Sequence, residues 1–66
     1  MIQKYIVFAD GNVKVFSVNE IHAFQTDGKD VVSAGFYNGE NTYGESTTLG
    51  VKSRPEDAQL IKDATP

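Results

Sequence analysis

Three positions in this chain of 66 residues place an aspartate or asparagine directly before a glycine: Asp10 and Gly11, Asp27 and Gly28, Asn38 and Gly39. This pairing tolerates the positive φ angles of a type I′ reversal, and each pair lies between runs of β-branched and aromatic residues. The spacing predicts hairpins. The fold class that follows is mainly β (α+β), a small antiparallel sheet or partly closed barrel of five to six strands over about residues 2–51.

From Ile2 to Ala9 nearly every residue favours a strand, with Ile6 and Phe8 on one face and Tyr5 and Val7 on the other. Apolar side chains on both faces imply an inner strand or one covered by a partner. Val13 to Val18 reads as the returning strand, Phe16 and Val18 on one face and Val13 and Val15 opposite. Asn19 and Glu20 then mark a bend, after which Ile21 to Thr26 is expected to resume as a strand. Val31 to Tyr37 is the fourth, with Val32, Ala34 and Phe36 sharing a face, and Gly35 within it signals a bulge or a close backbone approach. Glu40 to Tyr43 and Thr47 to Val51 are candidates for a fifth and an edge-like sixth.

The C-terminal part alone has a helical pattern. Ser53 followed three residues later by Glu56 is a capping box with Pro55 in the first turn, predicting a helix over about residues 54–64. Because the residue before a proline avoids the α region, Arg54 is the other candidate cap. Ala58, Leu60 and Ile61 form an apolar stripe narrow enough to dock one helix on a sheet.

The length fits a single domain over residues 1–66. A domain of this size hides only about 60% of the surface its unfolded chain exposes, and small folds offset that with disulfides, metals or self-association. There is no cysteine, which leaves self-association as the expected route and fits a reducing, cytoplasmic setting. No apolar run approaches the ~20 residues that cross a bilayer, so no membrane role is expected. The net charge is −3, with the basic residues dispersed and only Lys52 and Arg54 close together, which argues against nucleic acid as a partner.

No residues converge on a catalytic reading. His22 is the only histidine and has no nucleophile at a telling spacing, so an exposed or half-buried strand residue is the simpler account. The acidic residues fall mainly at turns and lack the alternating pattern of a calcium loop; neither a metal nor a cofactor is expected. Tyr43 to Gly50 does invite a ligand. Its glycines expose backbone N–H groups, and Ser46, Thr47 and Thr48 offer hydroxyls that, with Tyr43, suit a nucleotide-like or anionic ligand. A polar loop is the plain alternative. Among the aromatics, Tyr5, Tyr37 and Tyr43, together with Val7, are candidate interface residues, since tyrosine is enriched where proteins meet.

The order Val18-Asn19-Glu20-Ile21, then Asn38-Gly39, then Ser53 to Glu56 opening a short helix, resembles that of small FlbD-like bacterial proteins associated with flagellar operons. The resemblance implies the order of elements and no function, and the loop from Gly44 to Gly50 departs from it. A fainter similarity, from Ile21 onward, is to the LytTR DNA-binding domain, whose basic DNA-reading residues this acidic chain lacks. The leading expectation is a non-enzymatic binding or accessory module that self-associates and acts through protein contacts with a partner the sequence does not identify. A short, acidic, cysteine-free domain also suits an inhibitor of a larger protein, as phages and mobile elements use. The alternative is a small-molecule sequestering or sensing protein using residues 44–50.

Overall fold

The computed structural model describes residues 1–64 and is mostly β. Strands β1 (Gln3–Phe8), β2 (Val13–Phe16), β3 (Val31–Tyr37) and β4 (Thr42–Tyr43) form one antiparallel sheet in the order β2-β1-β3-β4. A second, two-stranded sheet pairs β5 (Glu45–Ser46) with β6 (Val51–Lys52), and helix α1 (Asp57–Ala64) follows. The four-stranded sheet stays open, with β2 and β4 at its edges.

The two apolar faces of β1 are both covered by the chain itself. Tyr5 and Val7 pack with Ile61 of α1, flanked by Val13, Val15, Tyr37 and Leu60. Ile6 and Phe8 pack with Ala34 on the opposite face, under Leu49 and Val51 and beside Phe16 and Val31. A helix thus closes one side of the sheet and the β5–β6 hairpin the other.

The three Asx-Gly pairs make three different reversals, and only one has the backbone of a type I′ turn. At Thr26–Lys29, Asp27 and Gly28 both have positive φ (55° and 75°), and Lys29 N–H donates to Thr26 C=O at 2.9 Å. That reversal joins a short 3-10 turn to β3 and not two strands. Between β1 and β2, Gly11 alone is left-handed (φ 91°), and Gly11 N–H reaches Phe8 C=O while Phe8 N–H reaches Asn12 C=O. This is the three-residue loop in which a type I turn ends in a left-handed glycine. Between β3 and β4 the loop has four residues, because the Asn38 side-chain oxygen accepts from the N–H groups of both Glu40 and Asn41. A side chain that bonds forward in this way replaces the backbone acceptor of a tighter turn.

Four further expectations need correction. Residues 22–25 are a 3-10 helix and not a strand. Burying the His22 ring against the sheet outweighs the local alternation that suggested an extended run. In β3 a bulge opposite Val7 and Phe8 pairs Phe8 with Val31, so Val31 packs with Phe8 and Ala34 while Val32 is 43% exposed. Of the strand expected over residues 47–51, only Val51 is extended, as the start of β6; residues 47–50 are the β5–β6 turn, closed by Gly50 N–H to Ser46 C=O at 2.9 Å. Finally, α1 begins at Asp57, whose carboxylate reaches back to Arg54 N–H at 2.8 Å. The cap is therefore Arg54, the other candidate, whose C=O accepts from Asp57 N–H at 3.0 Å while its own N–H donates to the Asp57 carboxylate, and not Ser53 with Glu56.

Gly35 is a site of close approach. A Cβ there would lie 2.6 Å from the Tyr43 carbonyl oxygen and 3.1 Å from Ser53 Cβ, so the segments on either side of the β5–β6 hairpin cross β3 where a side chain is missing.

Candidate functional site

Beneath α1 lies a buried polar cluster that no sequence pattern announced. Asp57 is 0% exposed, and its carboxylate accepts from the Tyr5 hydroxyl at 2.5 Å, from Arg54 N–H at 2.8 Å and from Arg54 Nε at 2.9 Å. Arg54 Nη2 lies 2.9 Å from the same oxygen as Nε, giving a forked ion pair. Thr42 Oγ1 donates to Arg54 C=O at 2.9 Å, tying the cluster to β4.

Burial by itself would raise the Asp57 carboxyl. The bonds from Tyr5 and from the Arg54 backbone, with the nearby Ser33 hydroxyl and the Arg54 side chain, outweigh it and hold the group below its ordinary 3.8. Tyr5 moves the other way: burial first, then the bond to and charge of Asp57, push its phenol well above 10.0. Ser33 Oγ is buried without a hydrogen-bond partner of its own. The cluster is a clamp: a neutral phenol donating to a charged carboxylate is a stable pairing with no group poised to exchange a proton near neutrality.

On the opposite face, a groove of about 230 Å³ brings Ser46, Thr47 and Thr48 together with Lys4, Ile21, His22, Phe36 and Glu45. Ser46 is buried and works within the loop, its hydroxyl 3.2 Å from Thr48 Oγ1 and accepting from Leu49 N–H at 3.3 Å. Thr47 and Thr48 are exposed. Tyr43 does not line the groove; its ring stacks on Phe36 with centroids 5.7 Å apart. Lys4 Nζ donates to Glu20 C=O at 2.7 Å.

His22 sits edge-on between Phe16 and Phe36, with ring centroids at 5.4 and 6.2 Å, and its Nε2 lies 3.0 Å from Gly35 C=O. Nε2 therefore carries the proton and donates. Desolvation lowers the pKa of the ring below 6.5, against the pull of that carbonyl, and the Lys4 charge adds to the lowering. The histidine acts as a polar core residue fastening the 3-10 turn to β3.

The interface candidates separate. Tyr5 and Val7 are 0% and 1% exposed beneath α1, covered by their own chain. Tyr37 is half-buried, donating from its hydroxyl to Gly39 C=O at 2.9 Å, and Tyr43 is 42% exposed. Larger apolar exposure lies elsewhere: Phe24 (78%) and Ile21 on the 3-10 turn, and Ile2 and Val18 at the open end of the β1–β2 hairpin. The outer edge of β2 pairs with nothing among the described residues.

Among the described residues no three acidic, histidine or cysteine side chains gather where they could hold a metal ion, and no helix is long and apolar enough to cross a membrane. No family model matches the chain, nor does any curated protein or solved structure.

Proposed function

We propose that this chain is a non-enzymatic binding module that works through protein contacts and associates with itself. The observation that carries the reading is the open edge of β2, flanked by exposed Ile2 and Val18 in a domain whose fully buried apolar core is small. An unpaired strand edge offers backbone donors and acceptors to any extended segment, and apolar neighbours add area that water releases on contact. The polar groups at Asp57 and His22 support the same reading, since each is engaged in holding one element of the chain to another. Sedimentation equilibrium from micromolar to ~1 mM tests it, a range that covers weak as well as firm association. A mass that climbs with concentration is expected, and a single-protomer mass throughout overturns self-association.

A second reading has one observation in its favour, the convergence of Lys4 with Ser46, Thr47 and Thr48 around one groove. An ammonium beside hydroxyls suits a phosphate, although Glu45 on the same rim opposes it. Thermal melts with inorganic phosphate and with ATP decide the matter. Ligand at ~100 times its dissociation constant adds about 2.7 kcal/mol, and no shift in either melt removes the reading.

A further inference from the structure

Building on the self-association proposed above, we infer that the surface used is the β2 edge, meeting β2 of a second copy antiparallel about a two-fold axis at Val15. In β1–β2 the pairs Ile6 with Lys14 and Lys4 with Phe16 alternate with Tyr5 with Val15 and Val7 with Val13. The hairpin closes through Phe8 N–H to Asn12 C=O, so, counting in steps of two, Lys14 and Phe16 bond inward to β1. The N–H and C=O of Val13 and Val15 therefore point outward, and no backbone hydrogen bond joins them to another element. Two centres are open to a symmetric antiparallel pairing of such a short edge.

With the axis at Lys14, the two lysines stand directly opposite in a non-hydrogen-bonded pair, where side chains come closest and like charges repel. With the axis at Val15, each Val15 exchanges both of its bonds with Val15 of the second copy, and each Lys14 faces a phenylalanine. The second register is the one the charges permit. A lysine on an edge strand ordinarily discourages pairing, but with the axis at Val15 the two Lys14 ammonium groups do not stand opposite each other, and each keeps Asp27 of its own chain at 3.1 Å.

The side chains agree with this choice of occupant. Val13 and Val15 lie on the α1 face, and Val15 opens onto a groove of about 450 Å³ between the sheet and α1 that Tyr37, Ile61 and the Lys62 stem also line. A two-fold axis perpendicular to the sheet puts both copies of α1 on the same face, side by side across the junction. The same patch then meets itself, as a closed dimer requires.

The test is Val15→Pro, which deletes the outward N–H and leaves the β1–β2 bonds in place, since proline is tolerated on an edge whose N–H faces outward. Sedimentation equilibrium of the wild type and the variant, with far-ultraviolet circular dichroism to confirm the fold, should show association weakened by more than about tenfold. A folded variant that associates as strongly as the wild type overturns the β2 edge while leaving self-association standing; a wild type that never associates overturns both. Should the variant not fold, amide exchange on the wild type decides. The Val15 N–H should exchange more slowly as the chain is concentrated through the association range, and an unchanged rate overturns the assignment.

Discussion

The Tyr5 hydroxyl donates to the Asp57 carboxylate at 2.5 Å across 52 positions of sequence, and both residues are 0% exposed. This bond fastens α1 to the central strand, and its direction is fixed by chemistry, since a charged carboxylate only accepts. Its partners are the two halves of one structural decision: Arg54 and Asp57 start the helix, and Tyr5 holds that start against the sheet.

Tyr5→Phe keeps the ring and removes the donor. A hydrogen bond to a charged group contributes about 1.5–3 kcal/mol, and the urea midpoint should fall accordingly. Asp57→Ala should cost more, because it leaves the buried phenol and the Arg54 N–H without an acceptor. A Tyr5→Phe midpoint equal to that of the wild type would show that the clamp contributes nothing to stability.

Stability should fall on the acid side in two stages. The folded pKa of His22 lies below 6.5, so the unfolded chain binds more protons once the pH drops beneath that value, and stability declines there first. Asp57 is held below 3.8, so its contribution is intact above 3.8 and drains away as the pH falls further toward its folded pKa. Tyr5 acts on the alkaline side. Its phenol is raised above 10.0, so stability is complete below pH 10 and lost above it. Denaturant midpoints across the pH range, beside those of His22→Gln for the first stage, check all three windows.

Gly35→Ala should be clearly more damaging than Gly39→Ala, although of the two only Gly39 has a positive backbone angle. The added methyl meets the Tyr43 carbonyl at 2.6 Å, backbone that has no rotamer to yield, and forced contacts of this kind cost about 1–3 kcal/mol. Gly39→Ala, whose methyl would project into open space, carries only the backbone strain of φ 101°, about 1–2 kcal/mol, and thermal melts of the two variants provide the comparison.

The β3 bulge predicts opposite fates for adjacent valines. Val32→Lys should stay within about 0.5 kcal/mol of the wild type, as exposed substitutions usually do. Val31→Lys sends an ammonium toward Phe8 and Ala34 and should be strongly destabilising. Equal effects would mean that the register runs without the bulge.

Much of this fold was legible because β1 states it openly: Tyr5 and Val7 alternate with Ile6 and Phe8, which requires cover on both faces. Gly35 as a close approach and a helix after Pro55 were likewise readable. What escaped was whatever depends on a distant partner. Residues 22–25 carry strand-forming neighbours, yet burying His22 between two phenylalanine rings fixes a 3-10 turn, and nothing local says that those rings will be there. The three Asx-Gly pairs share a dipeptide but differ in backbone angles and in the forward bonds of the side chain, Asp10 accepting from Asn12 N–H and Asn38 from both Glu40 and Asn41 N–H, so a common signal produced three different reversals.

The site was less legible than the fold. Ser46, Thr47 and Thr48 do come together at one groove, but Ser46 is occupied with its own loop and Tyr43 belongs to a ring stack. Asp57 reads in sequence as an ordinary first-turn acid, and its burial follows only from the phenol that reaches it from β1. The β2 edge becomes visible only when strand order is known.

Tyr5 is synthesised 52 residues before Asp57, at the start of the helix that shelters it and Val7. Until α1 has left the ribosome, a growing chain shows that side of its central strand to the surrounding solution, and long-range closure of this kind is entropically slow. Each nascent copy therefore passes through an interval in which Tyr5 and Val7 are made but Ile61, which covers them, is not.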